Sequence, residues 1–598
     1  MPLFVEELTK ALLEESDQHN RIAAALAASP SPHLAIPATL HASLIARLDR
    51  LGPVAKEVAL IGAVIGREFS YELIQLVVRR PEPELGTALD RLTDAGLLFC
   101  SGNPPHSSYL FKHALVQDAA YATLLRARRQ QLHAAIAAVM EGEFPEIVAA
   151  QPELLAHHYT EAGLPEQAIR YWFRAGERAT ERSTHLEAIA HLTRGIEMLD
   201  ALPQIPQRDQ RELEFQAALV TPFWASRGFA SVEAERAAKR AVDLGPRAGT
   251  DSPAHFRAIY GLRYSYMLRG NLRAGRPLAE QMLELAGRLR DPELFAYAHF
   301  ELGVEQLFSA ELAAARVHLE QGIALYDPQW GRAAASRHGF NCASNCHAFL
   351  TRVFWHLGHP GEALRHSEQA IAIAREVSHP FSQGVALSWT AALHQLRGET
   401  KRTRELAERL LAFATEQVFP FLAAQAMVFR GWALVELGQG DKGLAQLRAG
   451  LAAYRATGAE LESSHWLGLL ADACLDTGQA EEGLRTIAEA LGHVAQTGIV
   501  YYESELHRLE GELLLRLDPR DEQRAEASFR RALEIARVQE AKSWELRAAM
   551  SLARLWGEQG PRAEARDLLA PVYGWFTEGF DTADLKDAKA LLDELSQH

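Results

Sequence analysis

Four short stretches decide the fold: LGHPGEAL (357–364), RGETKRTREL (397–406), LGQGDKGL (437–444) and TGQAEEGL (477–484). Each has a glycine in second place. Gly358, Gly398, Gly438 and Gly478 follow one another at intervals of forty residues. Each closes one apolar helical pattern, and another opens within a few residues. A fixed period in this range marks a solenoid. Superposed on those glycines, the surrounding units keep three further registers. Seven residues before stand Thr351, Ala391, Gly431 and Ala471. Five after stand Ala363, Thr403, Gly443 and Gly483, and twelve after stand Ala370, Leu410, Gly450 and Ala490. Leu410 apart, these are small, and small residues at matching points let two antiparallel helices approach closely. The glycine supplies a positive φ where a Cβ would be strained. The unit is therefore helix–turn–helix, and stacking such units buries a continuous core.

The small–apolar–Gly–small pattern, as in GWALVELGQGDKGLAQLRAGL (431–451), resembles the tetratricopeptide repeat (TPR). The period is forty where that family has thirty-four, and no proline closes each unit, so the pitch of the short-period family does not carry over.

Composition bounds the function. The chain has 598 residues and a formal net charge of −15, with no sustained basic block. That balance argues against a general nucleic-acid or anionic-membrane surface. Cys100, Cys342, Cys346 and Cys474 are its only cysteines, too few for a secreted disulfide framework. No apolar run is long enough to span a bilayer, and the first residues lack a signal peptide's pattern. These features place the expected protein in the cytoplasm.

Along the chain, residues 1–28 read as one amphipathic helix and SPSPHLAIP (29–37) as a linker. Residues 38–140 change character. Three or four helices, with Ser70 as an N-cap, precede LLFC (97–100) and SYLFKH (108–113), which flank a Gly-Asn-Pro-Pro turn and read as a β-hairpin. Helices followed by a two-stranded wing form a winged-helix pattern. The helix before the wing carries Glu82, Glu84, Asp90 and Asp94 against Arg91, the wrong sign for a phosphate backbone. From 150 onward the chain reads as helical: irregular TPR-like repeats over 150–330, regular ones over 331–580, and a capping helix over 581–598 with Leu585, Ala588, Leu592 and Leu595 on one stripe. The fold class expected is an all-α, TPR-like solenoid preceded by a small winged-helix domain with a β-hairpin.

PLFVEELTK (2–10) and FKHALVQDAAYATLLRARRQQLH (111–133) resemble the corresponding segments of bacterial STAND-type signalling ATPases, of the kind fused to class III adenylate/guanylate cyclases. In that family the first motif ends the ATPase module, so the resemblance implies that residues 1–28 are its remnant. It also implies two nucleotide contacts, Pro2 near the adenine and His113 near the β-phosphate. The family's histidine is usually followed by aspartate, whereas Ala114 stands here. No lysine in the chain follows a glycine, so there is no P-loop. ATP or ADP would need the absent module, and the expectation is a chain with no cofactor and no catalysis of its own.

Other chemistry was weighed residue by residue. Cys342, Cys346, His347 and the nearby His338 make the most metal-like cluster, but no second ligand pair stands at zinc spacing, so no metal is expected. His157, His158, His356 and His359 have no nucleophile motif beside them. What a solenoid offers is a groove lined by the first helix of each pair. By register its candidates are Asn345, Arg352, Trp355, His356, Gln395, Gln425, Trp432, Glu436, His465 and Asp472. The reading is the sensor region of a STAND ATPase, binding a protein, a peptide or a small effector, with self-association open and nucleic acid and membrane not favoured. The alternatives are a stand-alone TPR scaffold and a TPR-containing transcription regulator acting through the winged helix.

Overall fold

A computed structural model describes residues 38–596 apart from 204, 229, 249 and 250. Pro2, the expected first helix and the linker over 29–37 lie outside the described residues. The chain divides into two compact units, one of residues 1–175 with 193–203, the other of 176–192 with 204–598.

The first unit opens with α1 (Ala38–Arg50) and α2 (Pro53–Ile65). Strand β1 (Glu68–Ser70), α3 (Tyr71–Val78), α4 (Glu82–Asp94), β2 (Leu98–Ser101) and β3 (Ser108–Phe111) follow. Next come α5 (Ala114–Ala122), α6 (Arg126–Glu143), α7 (Pro145–Ala150) and α8 (Pro152–Ala162); α9 (Pro165–Glu181) and α10 (His185–Leu199) run on from them. Ser70 caps α3, its Oγ accepting from the Leu73 amide at 3.2 Å. The hairpin forms as β2 and β3, with Leu98 opposite Phe111. The sheet gains a third strand that the sequence did not reveal: β1 pairs antiparallel with the other edge of β3, Glu68 opposite Leu110. Three residues are too few to show alternation. What holds β1 is Phe69, buried with its ring 5.8 Å from Tyr109 and 6.0 Å from Phe111.

The second unit is a solenoid of antiparallel helix pairs. They are α11 (Pro206–Arg227) with α12 (Val232–Ala248), α13 (Pro253–Leu268) with α14 (Leu272–Leu289), and α15 (Pro292–Phe308) with α16 (Leu312–Ala324). A single helix, α17 (Pro328–His338), interrupts. Then come α18 (Cys342–His356) with α19 (Pro360–Val377), α20 (Pro380–Leu396) with α21 (Thr400–Glu416), and α22 (Pro420–Glu436) with α23 (Gly440–Ala456). The array continues with α24 (Ser463–Asp476) and α25 (Ala480–Thr497), α26 (Glu503–Leu514) and α27 (Glu522–Val538), and α28 (Lys542–Gln559) and α29 (Arg562–Gly574). Helix α30 (Ala583–Leu595) comes last among the described residues. It buries Leu585, Ala588, Leu591 and Leu595; Leu591 takes the place expected for Leu592.

The turn glycines do what the pattern required: φ is 84° at Gly358, 70° at Gly398, 76° at Gly438 and 71° at Gly478. The small registers are contact points as well. A Cβ on Gly431 would lie 2.8 Å from the Leu447 amide, and one on Gly443 would lie 2.7 Å from the Gly431 carbonyl. Within the stretch expected to be irregular, positive φ recurs at Gly270 and Ala310, forty residues apart. Helix α17 then displaces the next turn, Gly358, and hides the continuity.

The array winds back onto itself. The Glu460 and Leu461 amides donate to the Leu268 carbonyl at 2.7 and 3.1 Å, and the Val500 amide donates to Phe308 at 3.0 Å. Ser543 Oγ donates to the Trp355 carbonyl at 2.5 Å and Arg547 Nη2 to Leu396 at 2.6 Å. The last carbonyls of a helix have no partner within it. Here the end of one first helix is satisfied by the start of another, four or five helix pairs later.

Candidate functional site

This winding decides where the first helices' inner faces go. Asn345, Arg352, Trp355, His356, Gln395, Gln425, Trp432 and His465 are all buried. Asp472 is half-buried and Glu436 exposed. The expectation of an open groove is corrected: eight of the ten residues are buried, and a later winding packs against Arg352, Trp355 and His356.

Arg352 of α18 is the centre of that interior. Its Nη1 donates to both Glu462 carboxylate oxygens, at 3.0 and 2.8 Å, and to the Tyr501 hydroxyl at 3.0 Å. Tyr501 in turn donates to Glu462 Oε2 at 2.9 Å. The guanidinium lies 4.5 Å from the Trp389 ring centroid and 5.2 Å from that of Tyr501. Burial alone would raise the Glu462 carboxyl, but Arg352 and then His465 hold it at about 2. His465 sits 3.2 Å from Glu462 and 3.4 Å from Gln395 Oε1. Burial outweighs its Glu462 partner and drops His465 to about 4, so it is neutral at neutral pH.

Beside this junction lies a cleft with about 50 Å³ of room for water-sized occupants. Aromatic rings make most of its wall, Phe349 and Trp389 with centroids 4.2 Å apart among them. Its polar lining is Asn345, Ser388, Gln425 and the Arg352–Glu462 pair. Ser388 Oγ donates to Gln425 Oε1 at 2.5 Å. Asn345 Oδ1 is buried and accepts no hydrogen bond.

Further along, Arg547 lies between the rings of Trp355 and Trp544, at 5.3 and 5.2 Å, and donates to Asp584 at 2.9 Å. Arg508 holds the buried Glu505 carboxylate through two bonds of 2.8 Å. His356 packs edge-on against Trp355, Tyr501 and Trp544, and both of its ring nitrogens lack partners. Burial, with Arg352 and His465 nearby, takes its pKa well below the ordinary value. Trp432 Nε1 also lacks a partner. Partial desolvation of its carboxyl and then neighbouring Asp472 and Asp476 push Glu436 up to about 7; burial, opposed by Arg508 and Arg547 and aided by Asp476 and Glu505, raises Asp472 to about 6.

The remaining candidates fall elsewhere. His113 sits at the N-cap position of α5 with no side-chain cap bond. His158 is buried, its Nδ1 2.8 Å from that of His133, and the His157 ring stands edge-on to His133. His359 begins α19 with its ring 5.5 Å from Trp575. Cys342 and Cys346 are buried with sulfurs 3.9 Å apart. His347 bonds His366 at 2.9 Å and His338 bonds Glu293 at 3.0 Å, so these four candidates do not converge. Among the described residues no group of three or more His, Cys, Asp or Glu could hold a metal ion. Nor is any helix there long and apolar enough to cross a membrane.

Glu462, Tyr501, Trp389, Arg508 and Arg547 escaped the sequence reading. Glu462 and Tyr501 precede their helices, and a register built on helix faces passes over them. Nothing in the forty-residue period says which units the winding brings together.

No family model matches the chain. It is 25% identical over 558 residues, 93% of its own length, to an uncharacterized protein of Rhizobium meliloti (strain 1021), and spans about half (53%) of that relative. Among solved structures it is similar to a Rap protein complexed with competence and sporulation factor: 11% identity, 64% of this chain, 99% of the other, TM-score 0.44. It is also similar to a signal transduction ATPase with numerous domains (STAND) that carries a tetratricopeptide repeat sensor, from Pyrococcus horikoshii: 11% identity, 95% and 68% coverage, TM-score 0.31. The solenoid described above rests on the chain's own helices and turns.

Proposed function

We propose that this chain is the sensing and interaction region of a regulatory protein of the STAND type, cyclase-linked in its parent, and that it performs no catalysis of its own. In this reading residues 38–140 act as a winged helix that couples the array to an ATPase module, and an effector, peptide or small molecule, is held inside the array. The observation that carries the reading is the Arg352 junction. It joins α18 to Glu462, 110 residues away, and to Tyr501, 149 residues away, beside a cleft with polar and aromatic walls. An occupant there acts on several units at once, which is how a repeat array turns binding into a change of shape.

Arg352→Met tests the coupling. The amides of Glu460, Leu461 and Val500, which join the windings, should exchange with solvent at least several-fold faster in the variant. Unchanged protection there removes the junction from the mechanism. The purified chain should also show no ATP turnover; measurable turnover ends the non-catalytic reading.

A further inference from the structure

The cleft beside Arg352 has a chemical character of its own. Its one full charge pair is internally neutralised, since Arg352 spends Nη1 on Glu462 and Tyr501, although its Nε is left without a partner. A charged ligand would have to enter an aromatic wall with no counter-ion left for it, at heavy desolvation cost. Two carboxamides on that lining stay under-used. Asn345, 3% exposed, has a buried Oδ1 that accepts nothing. Gln425, 7% exposed, has its Oε1 engaged by Ser388, while its amide nitrogen donates to no side chain or backbone group among the described residues. Buried polar atoms are paired almost without exception, and an orphan facing a cleft marks a place where something else completes the bond. A free acceptor and a free donor call for a ligand bearing both. Exchanging the oxygen and nitrogen of both side-chain amides together leaves that demand unchanged.

We infer that this cleft is a binding site for a small uncharged carboxamide or lactam carried on an apolar ring or short chain. The ligand's N–H donates to the Asn345 carboxamide, its carbonyl accepts from Gln425, and its apolar part lies against Phe349 and Trp389. The inference rests on the sensing role proposed above and names the ligand class.

The test uses the full chain and three probes of nearly equal size, benzamide, toluene and benzoate, followed by saturation-transfer NMR. Benzamide should bind saturably. Toluene, lacking the hydrogen bonds, and benzoate, carrying a charge, should bind at least about tenfold more weakly, the ratio that one good hydrogen bond sustains. Asn345→Leu should cut benzamide binding by about tenfold or more and at the same time raise the melting temperature of the free protein, because it removes an oxygen that has no donor. A merely structural asparagine would not show both effects. Gln425→Leu is the second variant and should weaken benzamide without improving toluene.

Toluene binding as tightly as benzamide overturns the inference, since the cleft is then only apolar. So does benzamide binding unaffected by both substitutions, or no benzamide binding to the folded chain. Those failures leave the regulatory reading standing if Arg352→Met still loosens the windings. ATP turnover would remove that reading while leaving carboxamide binding intact.

Discussion

Among the buried arginines of the array, Arg263 in α13 and Arg352 in α18 are served differently. Arg263 is fully buried; Nη1 pairs with the Glu301 carboxylate, and Nη2 reaches the Glu301 carbonyl at 2.9 Å and Glu305 at 3.4 Å. Yet Arg263 Nε and Glu301 Oε1 have no partner. Burial lowers the pKa of Arg263 and raises that of Glu305, so both charges are held against their preference. Around Arg352, Nε is likewise without a partner, but both Glu462 oxygens are bonded, a tyrosine hydroxyl bridges the pair, and an indole covers the cation. There the carboxylate is favoured, as its pKa of about 2 records. The difference teaches that burying an ion pair does not by itself stabilise; the outcome depends on whether the remaining lone pairs and protons are satisfied.

The largest effect expected is from Glu462→Gln. It leaves Arg352 buried without a counter-charge and should cost about 3–5 kcal/mol, read from the urea midpoint. The pH profile gives the same result from another side. Glu462 has a depressed pKa in the folded chain, so its contribution is complete above the ordinary carboxylate value near 4.5 and is lost as pH falls toward about 2. The variant should lose that part of the acid dependence. Glu305, with a raised pKa, has the opposite sign: its protonated form is favoured by folding, and stability falls as pH rises through the folded value.

A smaller effect sharpens the comparison. Tyr501→Phe keeps the ring and removes one hydroxyl that both donates to Glu462 and accepts from Arg352. A hydrogen bond to a charged group is worth about 1.5–3 kcal/mol, and the loss should fall in that range. The smallest effect is expected at the other arginine. Replacing Arg263, Glu301 and Glu305 together by Met, Leu and Leu should cause no loss of stability in thermal melts, because the under-satisfied triad leaves with its unpaired atoms. If that triple variant is as damaged as Glu462→Gln, the contrast between the two sites is broken.

Legibility in the sequence followed the same divide between local and long-range physics. Gly358, Gly398, Gly438 and Gly478 announced their turns because only glycine is free at positive φ. The complementary turns, between units, use positive φ too, but at Ser378, Val418, Gly458 and Gly498. Val418 tolerates φ of 56° although it is β-branched. Three residue types in one register concealed a period as regular as the first. Helix α17 concealed the continuation of the array from Gly270 and Ala310 in the same manner, by shifting the count. Of the ten groove candidates eight are buried, and that burial was not readable in the sequence.

The sequence by itself determined the repeating unit, its turns, its close helix contacts and the absence of a phosphate-binding loop, because each follows from a residue's own conformational freedom, size or charge at a fixed spacing. Only the tertiary structure decided that the windings touch, that Arg352 meets Glu462 and Tyr501, and that Asn345 is left without a donor in a cleft. Those contacts depend on the small rotation between successive units, accumulated over three to five of them. No single residue specifies that rotation, and it emerges only when all the helix interfaces are packed at once.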